Sequence, residues 1–298
     1  MIETEDVEGR YILKVGVHET RLQNEAWLDI WYENSEVTQH VHSNACETFY
    51  IINGEVELIV SGGIRTVLKQ GDIFHCPPGM GHKFHTLGKH AAWYNLFANL
   101  HYWNIVQTEI DMSIHYPDKI KNVNCYRNFI SSMNSQKLSP YPPVRREEDH
   151  HWVRRAGTAL LNFEAFGIRF NLKVAPWETN ELNEIWELEI KKGTKIKLNE
   201  PFNFWQTYIF QEGSAKCKVG GESFISIADD FVQIHPYQPM DIEFIEDSRL
   251  LSWGSGYKLL PLLDEIYYNE QEDPNRLNGT YSCKDIIAKY KVPFFEIE

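Results

Sequence analysis

Long apolar runs are missing from this 298-residue chain, and nothing approaches the roughly 20 residues that a membrane-spanning helix needs. Positive charge is scarce. Against 42 Asp and Glu stand 29 Lys and Arg, a formal net charge of −13. That balance argues against nucleic acid or an anionic membrane as partner, because both reward basic surface. Cysteine is sparse and odd in number: Cys46, Cys76, Cys125, Cys217 and Cys283 are widely spread, with no CxxC. Such usage fits reduced thiols better than a disulfide framework. The opening residues, MIETEDVEGR, lack the apolar core of a secretory signal, so a cytoplasmic location is expected. What the chain does have is 43% hydrophobic and 13% aromatic residues, enough for buried cores, and a length that suggests two domains.

One stretch stands out. His40-Val41-His42 is followed by Glu47 and a turn at Asn53-Gly54, reading H-x-H-x4-E-x6-G. Further on, Gly71, Pro77, Gly79 and His82 read G-x5-P-x-G-x2-H. Residues two apart on a strand share a face, so His40 and His42 project together. Glu47, Phe49 and Ile51 share the interior face of the next strand, and His82 arrives from a third. Three imidazoles and a carboxylate suit a first-row divalent ion, the carboxylate favouring Fe(II) or Mn(II), with Ni and Zn as alternatives. Four protein ligands on a six-coordinate ion leave two positions open.

At these residues the sequence resembles the cupin superfamily, of the germin-like type with three His and one Glu. Both motifs match, with sixteen residues between Gly54 and Gly71. The resemblance implies a small antiparallel β-barrel of the double-stranded β-helix or jelly-roll kind with the metal inside, held by His40, His42, Glu47 and His82.

Taken in order, 11–17 and 27–32 read as β-strands without helix period. The run from Glu47 to Val60 holds an Asn-Gly hairpin signal, and the aromatic text from His90 to Trp103 reads as closing strands. Asp118 to Gln136 carries apolar residues at three- and four-residue intervals and reads as one amphipathic helix. Pro140-Tyr141-Pro142-Pro143 then forbids helix. Strand text resumes at Ala159–Phe166, Ile168–Val174 and Glu184–Ile190, the last expected to be half-exposed at Glu187 and Glu189. Gln206 to Gly213 repeats the seven-residue step from Glu47 to Gly54. This reads as an internal repeat whose ligands are erased: Gln206 stands for Glu47, Asn199 and Pro201 for His40 and His42, and Met240 for His82. Leu259–Glu272 and Ser282–Lys291 read as two short C-terminal helices.

The expected class is therefore all-β, two tandem cupin barrels with a helical linker. The expected layout is a metal-binding cupin over 1–103, a linker over 104–151, a degenerate cupin over 152–258 and a helical tail over 259–298. It is similar to that of monomeric 3-hydroxyanthranilate dioxygenases. Those enzymes hold a substrate carboxylate with arginines where this chain has Thr38 and Thr86, so that substrate is not expected. The leading reading is a non-haem Fe(II)-type dioxygenase acting on a small organic molecule chelated at the metal, with Glu47 serving as base if it swings off the metal. Lys83, His85 and His75 are candidates for supporting hydrogen bonds, His85 ranking lowest because alternation turns it away from the barrel. Two other readings stay open, a metal-dependent sugar or sugar-acid isomerase or epimerase and a non-catalytic small-molecule binder. A monomer or homodimer is expected.

Overall fold

The computed structural model describes residues 2–5, 8–17, 19–20, 24–132, 135–137, 146–147, 151–198, 205–255, 259–272 and 294–296. The chain divides into two compact units, residues 1–158 and 159–298.

In the first unit eight strands precede the helices: β1 (Ile2–Glu5), β2 (Gly9–Val15), β3 (Asn24–Tyr32), β4 (Glu36–His42), β5 (Cys46–Val60), β6 (Ile64–Leu68), β7 (Ile73–Cys76) and β8 (His82–Ala98). The long strands β5 and β8 pair antiparallel from Cys46 opposite Ala98 to Val60 opposite His82, with bulges around Asn53. The second half of β8 pairs with β3 and its first half with β4, so the two follow one another along the edge of β8 that β5 leaves open. Alternation puts Trp27 and Trp31 of β3, Phe49 and Ile51 of β5, and Phe84, Trp93 and Phe97 of β8 into one buried cluster. Gly54 at the bulge has φ +78°, and a Cβ there would come within 2.4 Å of the His90 carbonyl oxygen. No L side chain fits.

Three helices follow, α1 (Tyr102–His115), α2 (Pro117–Ile120) and α3 (Val123–Ser132), then the short strands β9 (Ser135–Lys137), β10 (Arg146–Glu147) and β11 (Val153–Arg154). Two sequence expectations change here. The aromatic run to Trp103 does not stay extended, because β8 ends at Ala98 and α1 begins at Tyr102. The single helix expected over 118–136 is two, since the Asn122 side-chain oxygen accepts from the backbone N–H groups of Asn124 and Cys125 at 3.1 Å and starts α3 afresh. The end of that segment, β9, pairs with β4, placing Lys137 opposite His40 and Ser135 opposite His42.

The second unit contains β12 (Leu161–Ala165), β13 (Ile168–Val174), β14 (Glu184–Ile190), β15 (Lys195–Leu198), β16 (Trp205–Glu212), β17 (Ser214–Val219), β18 (Glu222–Ile227), β19 (Phe231–Ile234), β20 (Met240–Phe244), β21 (Ser248–Ser255), α4 (Leu259–Glu272) and β22 (Phe294–Glu296). A six-stranded sheet ordered β12-β13-β14-β21-β16-β19 and a five-stranded sheet ordered β18-β17-β20-β15-β22 enclose an apolar core that includes Phe170, Trp186, Tyr208, Phe210 and Phe244. Glu187 is not half-exposed. It is buried and lies 3.3 Å from the Lys173 ammonium, itself 1% exposed. The helix expected over Ser282–Lys291 lies outside the described residues.

The two units share more local chemistry than the step to glycine. In the first, the Thr20 hydroxyl donates to the Asn24 carbonyl and accepts from the Asn24 N–H. Thr179 and Asn183 repeat both bonds in the second. The next residue is Glu in each case. Glu25 accepts from the Trp103 N–H at the start of α1, and Glu184 from the Leu259 N–H at the start of α4. Each barrel thus seats its following helix on a carboxylate projected from an early strand.

Candidate metal centre

His40 and His42 lie at the end of β4, Glu47 one turn later near the start of β5, and His82 opens β8. The four offer one ligand atom each, and these atoms lie within 4.8 Å of one another. Glu47 Oε2 is the centre of the group, 3.1 Å from His42 Nε2 and 3.0 Å from His82 Nε2. The rings of His40 and His82 approach to 4.2 Å between centroids. Strand alternation explains the convergence: His40 sits opposite His82 in the β4–β8 ladder, and Glu47 is in phase with the inward Phe49 and Ile51.

Hydrogen bonds at the far side of two rings fix which nitrogen faces inward. His40 Nδ1 lies 3.0 Å from the Thr38 carbonyl oxygen, and His82 Nδ1 lies 3.1 Å from that of Met80. An N–H at each Nδ1 donates to those carbonyls and makes Nε2 the nitrogen turned toward an ion. Cys76 Sγ also lies 3.1 Å from His82 Nδ1. Desolvation pushes the Glu47 carboxyl up, but the hydrogen bonds from His42 and His82 outweigh it and hold the group well below the usual carboxylate range. Burial, and then the nearby His82 and His42, lower His40 well below an ordinary imidazole. Burial works to lower His82, but Cys76 and Glu47 outweigh it and raise that imidazole well above its ordinary value. Three imidazoles packed around one buried carboxylate fit a divalent cation, which would take the place of the Nε2 proton.

Of the supporting residues expected from sequence, none turns toward this group. Lys83 reaches Glu36 at 3.7 Å. His85 alternates with the buried Phe84 and faces the other way. His75 is buried on the opposite face of β7, 2.9 Å from the Thr48 hydroxyl and edge-on to Trp152. The support comes instead from Asn95 and Asp29. Asn95 Nδ2 donates to Glu47 Oε1 at 2.9 Å and lies 3.3 Å from Asp29 Oδ2. Burial pushes the Asp29 carboxyl up to about 8. The signal in the sequence was present: Asp29 and Asn95 are polar residues in phase with Trp27, Trp31, Trp93 and Phe97, on a face that should be apolar throughout.

A cavity of about 670 Å³ adjoins the cluster, with His40, His42, Glu47, Asp29 and Asn95 in its wall and residues of α1, α2 and α3 across from them. Its described lining carries the aromatic rings of Tyr11, Trp31, Phe84, Phe97, Tyr102 and Tyr126. Six carboxylates, Glu5, Glu8, Asp29, Glu36, Glu47 and Glu109, line it as well, and no Lys or Arg does among the described residues. Two of these carboxylates accept hydrogen bonds from phenols, Glu5 from Tyr32 and Glu109 from Tyr126.

Residues 30–97, within the first unit, match the cupin domain family. Over nearly the whole chain the fold is of the cupin type with two units, as in two oxalate decarboxylases. A single-substitution variant of the Bacillus subtilis enzyme superposes with a TM-score of 0.53 at 16% identity, covering 91% of this chain and 81% of that one. The formate complex of the Lactobacillus farciminis enzyme gives 0.55 at 15% identity, covering 96% of this chain and 93% of that one. No curated protein matches the sequence. In the second unit Gln206 stands where Glu47 does and Met240 is buried in the core, while Asn199 and Pro201 lie outside the described residues. The one group of metal-type ligands found among the described residues is that of the first unit.

Proposed function

We propose that the chain is a metal-dependent enzyme, a non-haem Fe(II)-type dioxygenase acting on a small organic molecule chelated at an ion held by His40, His42, Glu47 and His82. One observation supports this above the rest: four convergent ligand atoms within 4.8 Å, three of whose residues, His40, His42 and Glu47, lie in the wall of an aromatic-lined cavity of about 670 Å³. When bound, the ion would supply Lewis acidity toward substrate oxygens and, as Fe(II), the means to engage dioxygen. Mn, Ni or Zn would satisfy the same donors, and Fe(II) or Mn(II) suit the carboxylate best.

The remaining work falls to the side chains. If Glu47 swings off the ion it can serve as the base that takes up a proton from the substrate. Trp31, Phe84 and Tyr102 offer flat apolar walls to an aromatic or enolic skeleton. The carboxylates of the lining favour an uncharged or cationic substrate, because a substrate anion would face like charges with no described cationic side chain to pair with. For that reason we do not carry oxalate, the substrate named for the structural neighbours, over to this chain.

The test is oxygen uptake by anaerobically Fe(II)-loaded protein, screened against catechols, enediols and oxalate. The expected result is consumption of oxygen with an uncharged substrate, abolished by a chelator. Metal-dependent conversion without oxygen would replace the dioxygenase reading with an isomerase, and turnover of oxalate would overturn the substrate argument.

A further inference from the structure

Glu47 divides its two oxygens between different partners. Oε2 faces His42 and His82, while Oε1 accepts from Asn95 Nδ2 at 2.9 Å. The same amide nitrogen lies 3.3 Å from Asp29 Oδ2. An amide NH2 has two hydrogens, so one can serve each carboxylate. We infer that Asn95 and Asp29 are positioning residues that hold Glu47 so that it meets the ion through Oε2 alone. The inference rests on the metal reading above.

The second unit acts as an internal control. In the first, Trp27 pairs with Asn95 and Asp29 with Trp93. In the second, Trp186 pairs with Ser252 and Leu188 with Leu250. Glu47, Asn95 and Asp29 therefore correspond to Gln206, Ser252 and Leu188. Gln206 Nε2 donates to the Ser252 hydroxyl at 2.9 Å, and Leu188 is 1% exposed in the apolar core. A barrel of this design closes without a carboxylate at that place. Burying one has a solvation cost that leucine avoids, and here the buried Asp stands in the barrel whose ligand set is intact. The chain is also specific in its geometry. Without Asn95, Glu47 Oε1 would be free to turn toward the ion, and without Asp29 the amide could rotate away from Glu47.

Asn95→Ser and Asp29→Leu each copy the residue of the second barrel, which makes them mild tests of folding. Full-length parent and variants are titrated with Co(II) under nitrogen, reading the visible d–d spectrum, the affinity by chelator competition and the melting curve of the metal-free protein. The expected result is a changed spectrum and an affinity lower by about 10- to 100-fold in both variants, the range seen when the partner of a ligand is lost, with the metal-free melting transition retained. Asp29→Asn keeps an acceptor for Asn95 and should restore the parental spectrum. Parental spectrum and affinity in both variants would overturn the inference. So would a loss of affinity accompanied in both by loss of the melting transition, which marks a structural role. If the parent takes up no Co(II), the metal reading falls and the inference falls with it.

Discussion

At the residue scale, the site depends on His42 more than its exposure suggests. His42 is 5% exposed and shares Glu47 Oε2 with His82, so truncation removes a donor without opening the barrel to solvent. His42→Ala should abolish stoichiometric metal, measured by elemental analysis, while the far-UV circular dichroism stays that of the parent. Retained metal would count against the ligand assignment. Gly213 is a second point at which one atom matters. Its φ is +82°, and a Cβ would lie 2.5 Å from the Asp247 carbonyl oxygen. Gly213→Ala should cost about 2 kcal/mol or more, from the left-handed conformation and the displaced backbone, seen as a melting point lowered by several degrees.

At the scale of elements, the helices that follow each barrel are tied to strands far away in the sequence. Burial pushes Glu25 and Glu184 up to about 7, against the lowering effect of the helix N–H groups they accept from. For Glu184 the folded state then holds a proton that the unfolded chain, with a carboxyl near 4.5, has released. Its contribution is fully present below pH about 4.5 and is lost as pH rises to about 7, on the order of 3 kcal/mol in all. Glu184→Gln keeps an acceptor for Leu259 and should flatten that decline, so the variant gains on the parent at pH 8 and not at pH 4. Urea unfolding at the two pH values measures it. The same long-range tie explains what the sequence hid. The ligand strands were legible because Gly54, Pro77 and Gly79 punctuate them and alternation fixes their faces. The start of α1 was not, because Tyr102 and Trp103 favour extended structure locally and the group that caps the helix is Glu25, 77 positions before Tyr102. Asn95 and Asp29 escaped for a related reason: neither belongs to a motif, and only the pairing of β3 with β8 brings them together.

At the scale of the whole molecule, the two units have different interiors. One retains three imidazoles and a carboxylate, and the other fills the matching space with Gln206, Leu188 and Met240. The expected metal content is one ion per chain, by elemental analysis after loading and desalting, and two would contradict the reading of the second barrel. Because β9 is hydrogen-bonded along the β4 edge that bears His40 and His42, the helical segment is zipped to the strand that delivers two donors. An ion that engages only the assembled ladder adds its binding free energy to that zipper. Hydrogen–deuterium exchange in 135–137 therefore doubles as a gauge of occupancy, slowing as the ion is titrated in.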